Sequence, residues 1–458
     1  MKLAVIGGGG VRSMFLAKSL VRRAGELGIR EIVFMDDNRE RLEIYGQMAA
    51  ETANRIDPSI VFQTTSDARA AISGSDYVIT TIRVGGDHMR IQDERIALSH
   101  GVLGQETTGA AGFSFAMRSI PALVRYCELI KEVAKPGAKM FNFTNPAGLV
   151  SQTLRDMGFD FTFGICDAPS GLLHEVAALY GVEPGEVGAR CFGLNHLSFF
   201  NSISVKGREV LGELIEDDRL YTHTEMKYFD KNFTRRMGLL LNEYLYYYFS
   251  PETPVSNITG VGATRGELIK DINISMTEEL SGLDIRADFD RALAIFEKWY
   301  GKRDAAYMSN ETGKASHKPP FKFDIQGKEA GGYAGVALKF IEAARLGKEA
   351  EMILCVPNGG AIPWLEDSDI VEISCAISQN GYVPHRVDNA DNLPILAVEL
   401  VRRVKVYERL AAQALRQRCK NEAVESLALH PLVNSYSRAE SIFGQYMELN
   451  KEYTGEWT

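Results

Sequence analysis

Four consecutive glycines stand directly behind the first apolar run of the chain, KLAVIGGGG at 2–10. A short β-branched run that stops at glycines reads as a buried strand turning sharply into a helix. At such a turn the backbone lies bare beyond the strand end, and the next helix begins with N–H groups that have no partner inside the helix. The same frame recurs. Strands are predicted over 2–6, 31–35, 60–63, 77–82, 139–143 and 161–165, with helices over 13–27, 39–56, 67–72 and 115–133 between them. Apolar strands separated by helices point to a parallel sheet covered on both faces.

Six such strands fit the doubly wound dinucleotide-binding plan. After Cys191 the pattern changes. Helices are predicted over 234–249, 333–346 and 394–418, with short strands over 352–356 and 370–374. The stretch 251–265 reads as loop, and the polar stretch 302–325 as a mobile segment. The fold class expected is therefore α/β. Residues 1–165 form a Rossmann domain with a doubly wound parallel sheet, and residues 166–458 an α+β domain, the two-domain plan of lactate and malate dehydrogenases. The 458 residues leave room for both, and 45% hydrophobic with 24% charged residues is ordinary globular usage.

Lys and Arg number 51 against 60 Asp and Glu, a net charge of −9, and no basic run stands out. Nucleic acid and anionic membranes are thus not expected partners. No apolar stretch reaches the roughly 18 residues of a membrane span. The chain enters a strand at once, without the pattern of a signal peptide. Cys127, Cys166, Cys191, Cys355, Cys375 and Cys419 show no CxxC spacing, which reads as reduced cysteine in a cytoplasmic protein. An anionic substrate would require arginines gathered locally.

The glycines fit G-x-G-x-x-G imperfectly. Counting from Gly7 and Gly9, the third place is Arg12; counting from Gly8 and Gly10, it is Ser13. Asp36, at the end of the second strand, is the acid expected on a ribose diol, and an acid there favours NAD over NADP. The cofactor-binding candidates are Gly7, Gly8, Gly9, Gly10, Val11, Arg12, Asp36 and Arg83. Asn145 and Cys166 also fall at or just past strand carboxyl ends, where open parallel sheets bind ligands.

Cys166-Asp167 and Asn195-His196 supply a thiolate and an imidazole, which can share a divalent metal. A buried cysteine and a hydrogen-bonded histidine are the plainer alternative. FGLNHLSFF at 192–200 reads as a half-buried strand in which a polar pair stands out. At helical spacing Tyr244 shares a face with Tyr247 and Tyr248, and an aromatic stripe of this kind is usually core. Among Arg83, Arg90, Arg95 and Arg265, the first and last stand in glycine-rich or turn-like sequence, where a guanidinium can clamp phosphate or sugar oxygens.

These residues resemble the NAD- and metal-dependent glycoside hydrolases of family 4. The resemblance is carried by VIGGGG, IRVGG at 82–86, MRIQDERIALSHGVLGQETTGAAGF at 89–113, FNFTNPAG at 141–148, GICDAP at 164–169, GLNHLSF at 193–199, EYLYYY at 243–248, TR at 264–265 and NGGAIPWL at 358–365. It implies NAD and a divalent metal, usually manganese, held by Cys166 and His196. It further implies Tyr244 as catalytic base and Arg90, Asn145 and Arg265 as substrate-binding residues. The chemistry implied is oxidation at C3 of the sugar, proton removal at C2, elimination at C1, water addition and re-reduction. Ser13-Met14 stands where the family commonly has Thr-Pro. Asp167-Ala168-Pro169 is closest to the phospho-α-glucosidases and would make Asp167 the proton donor to the leaving oxygen. GQETTG at 104–109 and EAGGY at 329–333 are closer to the β-acting members. The expected activity is hydrolysis of 6-phosphorylated β-glucosides, and the expected assembly is a homo-oligomer, dimer or tetramer. Alternatives are a 6-phospho-α-glucosidase, an NAD-dependent 2-hydroxyacid dehydrogenase and a silent NAD-binding regulator.

Overall fold

The computed structural model describes residues 1–314, 320–327 and 333–458. Six strands form one parallel ladder: β1 (Lys2–Ile6), β2 (Glu31–Met35), β3 (Val61–Thr65), β4 (Tyr77–Thr80), β5 (Lys139–Asn142) and β6 (Thr162–Gly164). Their spatial order is β3-β2-β1-β4-β5-β6. Leu3 in β1 pairs Ile32 on one side and Tyr77 on the other, so the chain's direction of travel across the sheet reverses at β1. Ligands of such sheets bind beyond the strand ends at that switch point. Leu3 through Ile6 are fully buried, as a parallel strand covered on both faces must be. The doubly wound expectation is met, with strand ends moved by one or two residues.

Helices at Gly86–Ser99, Ala147–Asp156 and Ala168–Tyr180 occupy segments read as connections. Each opens at Gly85-Gly86, Pro146 or Pro169, residues that resemble turns in sequence; proline beside a first helical turn is favourable because that turn's N–H has no partner anyway. The helix expected over 39–56 is interrupted by a π turn at Leu42–Gly46.

A smaller sheet holds β7 (Val187–Leu194), β8 (Leu197–Val205), β9 (Arg208–Glu209) and β10 (Leu240–Leu241). The single strand expected over 192–200 is a hairpin: Leu194 pairs Leu197, and Asn195 with His196 make the turn. The reversal is set locally. Gly193 adopts φ +136°, where a Cβ would stand 2.4 Å from the Leu197 carbonyl oxygen, and His196 itself has φ +60°. The chain then returns to the large sheet. Strands β11 (Ala350–Pro357), β12 (Ile370–Ser378) and β13 (Gly381–Pro384) extend it antiparallel beyond β6, giving nine strands. Cys355 of β11 pairs Gly164 of β6.

Two further expectations are corrected. The helix over 234–249 is broken: Lys231–Met237 stops at Gly238, which has φ +61°, β10 follows, and a short helix spans Leu245–Phe249. The segment 251–265 is mostly helix, Glu252–Val261. Within 302–325 the structure shows the end of Phe289–Ala305 and a turn of helix at Ser309–Thr312; residues 315–319, and 329–332 of the EAGGY segment, lie outside the described residues.

A second apolar cluster fixes the roof of the crevice. Val11, Met14, Tyr45 and Met48 pack with Met276, Phe289, Phe296 and Tyr300. Phe15 touches the rings of Phe296, Tyr300 and Phe323, with centroids 5.9, 4.9 and 5.2 Å away. Each such pair contributes about 0.5–1.5 kcal/mol beyond its buried area. The result holds helix Phe289–Ala305 over the glycine turn. Among the described residues no helix is long and apolar enough to cross a membrane, and all six cysteines are unpaired.

Candidate active site

A cavity of about 1250 Å³ opens at the carboxyl ends of β1, β4, β5 and β6. Gly7 stands at its floor with φ +99°, and a Cβ there would meet the Thr81 carbonyl oxygen at 2.3 Å. A Cβ on Gly8 or Gly9 would press on Phe34 or Asp36 at 2.6 and 2.9 Å. The turn therefore lies flat on neighbouring strand ends, and only glycine permits that approach. Gly9 N–H donates to Asp36 Oδ2 at 2.8 Å and Asn38 N–H to Oδ1 at 3.0 Å. Burial pushes the Asp36 carboxyl up, and these two donors draw it back. Helix Ser13–Leu27 follows with no side-chain cap at its N-terminus, and Ser13 Oγ donates to the Gly8 carbonyl at 2.6 Å. A bare helix start beside a flat glycine turn, with a carboxylate at the next strand end, fits a dinucleotide.

Cys166 follows β6 and His196 tips the β7–β8 hairpin. Thirty residues apart in sequence, Cys166 Sγ and His196 Nε2 lie 3.4 Å apart. That separation suits two ligands of one cation whose bonds are about 2.0–2.4 Å long. Burial pushes the His196 ring down to about 4, so at pH 7 it is neutral and keeps a lone pair for a metal. Burial and the nearby Glu372 push the Cys166 thiol well up, so its thiolate requires a cation beside it. Among the described residues no cluster of three His, Cys, Asp or Glu side chains could hold a metal. The pair fits a cation that takes its remaining ligands from substrate and water.

Tyr244 begins the helix Leu245–Phe249, and its N–H donates to Asn242 Oδ1 at 3.0 Å. Its ring lies against His196 with centroids 4.2 Å apart. Tyr307 Oη lies 3.3 Å from Tyr244 Oη and 3.2 Å from Glu243 Oε1, and its single hydrogen can be donated to either. Burial pushes the Tyr244 hydroxyl up, and Glu243 adds to this, while the bond from Tyr307 lowers it. Glu243 is itself pushed up to about 8 by burial and by Glu225. Tyr246 and Tyr247 are core residues, and Tyr248 bonds Thr108.

The arginines separate into used and unused charge. Arg83 pairs Glu106. Arg90, 6% exposed, donates from Nε to Glu94 at 2.7 Å and lies 3.4 Å from Glu106. Burial alone would raise the Glu106 carboxyl, yet Arg83 and Arg90 together hold it low. The exposed Arg95 pairs Glu267. Arg265 follows Thr264, whose capping box with Glu267 fixes the start of the helix, and its guanidinium donates to the carbonyls of Ala306 and Arg303 at 2.7 and 3.0 Å. Arg12 lies 3.4 Å from Asp167 Oδ2.

Arg303, at the end of the helix Phe289–Ala305, is different. It lines the cavity, and no carboxylate among the described residues lies within ion-pair distance of its guanidinium. Burial and the charges of Arg12, Arg265 and Arg90 press it down to about 9.

One cavity thus gathers Gly7, Gly9, Gly10, Val11, Arg12, Asp36, Arg83, Arg90, Asn145, Cys166, Asp167, His196, Tyr244 and Arg265. Gly8 is the exception: it lies under the turn, packed on Phe34. Sequence reasoning missed Glu106, Glu243, Arg303 and Tyr307. Glu106 and Glu243 stand inside segments already singled out, beside the residues chosen. Arg303 and Tyr307 sit in the polar stretch read as mobile, and no local pattern marks them.

Family models match both parts of the chain: family 4 glycosyl hydrolase over residues 2–182 and the family 4 glycosyl hydrolase C-terminal domain over 191–433. A probable 6-phospho-beta-glucosidase of Bacillus subtilis is 28% identical over 99% of this chain and 97% of its own length. The structure of the 6-phospho-beta glucosidase from Thermotoga maritima, with manganese, NAD+ and glucose-6-phosphate, superposes with a TM-score of 0.79 at 26% identity, covering 99% of each chain. A 6-phospho-alpha-glucosidase from gut microorganisms, in complex with NAD and glucose-6-phosphate, gives 0.81 at 25% identity, covering 100% and 99%. With both of its parts matched, the chain belongs to family 4 of the glycosyl hydrolases.

Proposed function

We propose that this protein hydrolyses 6-phosphorylated β-glucosides, using NAD and a divalent metal, manganese. The observation that carries the reading is the meeting of Cys166, His196 and Tyr244 in the cavity that also holds the glycine turn. Residues 1–165 would bind NAD, with Gly7, Gly9, Gly10, Val11 and Arg12 at the pyrophosphate, Asp36 at a ribose diol and Arg83 bordering the sugar. Residues 166–458 would supply most of the substrate site. The hydroxy-acid dehydrogenase alternative does not survive the family assignment.

When bound, NAD supplies the oxidant for the sugar's C3 hydroxyl, and a cation held by Cys166 and His196 supplies Lewis acidity at the carbonyl formed. Tyr244 Oη is the base for the C2 proton. When Tyr307 turns its one hydrogen to that oxygen rather than to Glu243, the bond favours the phenolate. Glu243 opposes the phenolate by like charge when ionised, and burial keeps it largely protonated near neutrality. Asp167, held toward Arg12, borders the cavity as the candidate proton donor to the leaving oxygen. Asn145 offers an amide to the sugar hydroxyls.

For the phosphate we assign Arg303 with Arg265, and Arg90 as support through Glu94 and Glu106. A half-buried guanidinium near three others, with no carboxylate among the described residues at ion-pair distance, is stabilised by an anion. The β anomer is preferred because the B. subtilis relative carries that name and GQETTG at 104–109 resembles the β-acting members of the family. The unpaired cysteines support a cytoplasmic location, and exposed Ile395, Leu396 and Val383 support assembly as a dimer or tetramer. The test is a panel of α- and β-nitrophenyl glucosides, with and without 6-phosphate, assayed with NAD+, Mn2+ and reductant. Release from the 6-phospho-β-glucoside supports the proposal; release only from unphosphorylated or α-linked members overturns it.

A further inference from the structure

Strand β12 is apolar along most of its length, yet it buries a carboxylate. Glu372 is 1% exposed, and both its oxygens are engaged. Asn195 Nδ2 donates to Oε1 at 2.9 Å and Ser198 Oγ to Oε2 at 2.7 Å. The two donors stand on either side of His196, in and just after the hairpin turn. Ser198 is held from its other side as well. Asn242 Nδ2 donates to Ser198 Oγ at 3.3 Å, and Asn242 N–H donates to the Ser198 carbonyl at 3.1 Å. Asn242 Oδ1 then accepts the N–H of Tyr244. A continuous, mostly buried hydrogen-bond path therefore runs from one carboxylate to both the His196 turn and the Tyr244 loop.

Burying a carboxylate in a sheet is costly unless its hydrogen bonds are satisfied, and an apolar residue would serve the strand better. His196 also holds a left-handed backbone, which for a residue other than glycine persists only where its surroundings over-determine it. We propose that Glu372 is a positioning residue that sets His196 and Tyr244 relative to one another through Asn195, Ser198 and Asn242. Strand β12 comes from the far end of the chain, so the C-terminal addition to the large sheet governs the geometry of the proposed metal pair. The inference rests on the reading of Cys166 and His196 as metal ligands.

The experiment is a titration of the full-length protein with Mn2+ at saturating NAD+, following free Mn2+ by electron paramagnetic resonance. Glu372→Ala should weaken Mn2+ binding about 10–100-fold, the usual cost of losing a group that orients a metal ligand, while NAD+ binding stays within about twofold. Glu372→Gln keeps an acceptor for Asn195, and the Ser198 hydroxyl can rotate to accept from the new amide, so it should recover most of the affinity. A folded Glu372→Ala that binds Mn2+ like the wild type, while Cys166→Ser does not, overturns this inference alone. If Cys166→Ser also binds normally, the metal reading fails and this inference with it. Should Glu372→Ala not fold, Asn195→Ala and Ser198→Ala carry the test: each should weaken Mn2+ binding several-fold, and unchanged binding in both overturns the proposal.

Discussion

Cys166 Sγ lies 3.4 Å from His196 Nε2, although the cysteine follows a strand of the large sheet and the histidine tips a hairpin of the small one. Neither residue has a metal-binding spacing in sequence. Their meeting depends on how the two sheets pack. Serine at position 166 keeps nearly the same volume but removes the soft thiolate ligand. Cys166→Ser should therefore raise the Mn2+ concentration for half-maximal activity at least about 10-fold, with an unchanged thermal midpoint. An unaltered metal titration would remove Cys166 from the ligand set.

Tyr244→Phe deletes one oxygen from a ring that stays packed on His196. A lost general base costs about 10²–10⁴ in kcat. We expect a loss in that range, with NAD+ affinity unchanged by fluorescence titration. Activity within a few-fold of wild type would make the tyrosine a packing residue only.

Arg303→Ala removes a cavity guanidinium that has no carboxylate at ion-pair distance among the described residues. Hydrogen bonds to charged groups contribute about 1.5–3 kcal/mol, so KM for a 6-phosphorylated substrate should rise roughly 10–100-fold. Inorganic phosphate should correspondingly inhibit the variant less than the wild type. Parallel loss of NAD+ binding with unchanged phosphate inhibition would place Arg303 at the cofactor instead.

His430 gives a stability prediction remote from the site. It is fully buried, its Nδ1 accepts from Leu432 N–H at 3.2 Å, and it packs against Tyr407. Burial, with Arg403 adding to it, pushes the ring down to about 3. The folded state thus refuses a proton that the unfolded chain accepts at about pH 6.5. Stability is complete above that value and is lost progressively as pH falls toward 3. Between pH 7.5 and 5.5 the loss from this group should be about 1.4 kcal/mol. Urea unfolding of His430→Gln should show a pH dependence shallower by that amount; identical slopes for variant and wild type would refute the assignment.

The large sheet is legible because each parallel strand is buried on both faces and so appears as an apolar run. The glycine turn is legible for a related reason: no other residue fits at Gly7. The hairpin at Asn195-His196 is not, because apolar residues flank the pair on both sides and the reversal hangs on backbone angles. Helix Gly86–Ser99 hides behind a glycine pair that looks like a turn. Arg303 and Glu372 are invisible for a deeper reason. Arg303 matters because Phe15 and its aromatic neighbours place its helix over the glycine turn. Glu372 matters because β12 pairs with β11 in the large sheet and packs against β7 of the small one. Both are consequences of packing between segments distant in sequence, and a local pattern does not encode them.

The central claim is that Tyr244 removes a proton from C2 of an oxidised sugar. The direct measurement is hydrolysis of a 6-phospho-β-glucoside in D2O with NAD+ and Mn2+, followed by mass spectrometry and NMR of the released sugar phosphate. The account predicts deuterium at C2 of the product and no net accumulation of NADH. Product that keeps its original hydrogen at C2 would contradict it.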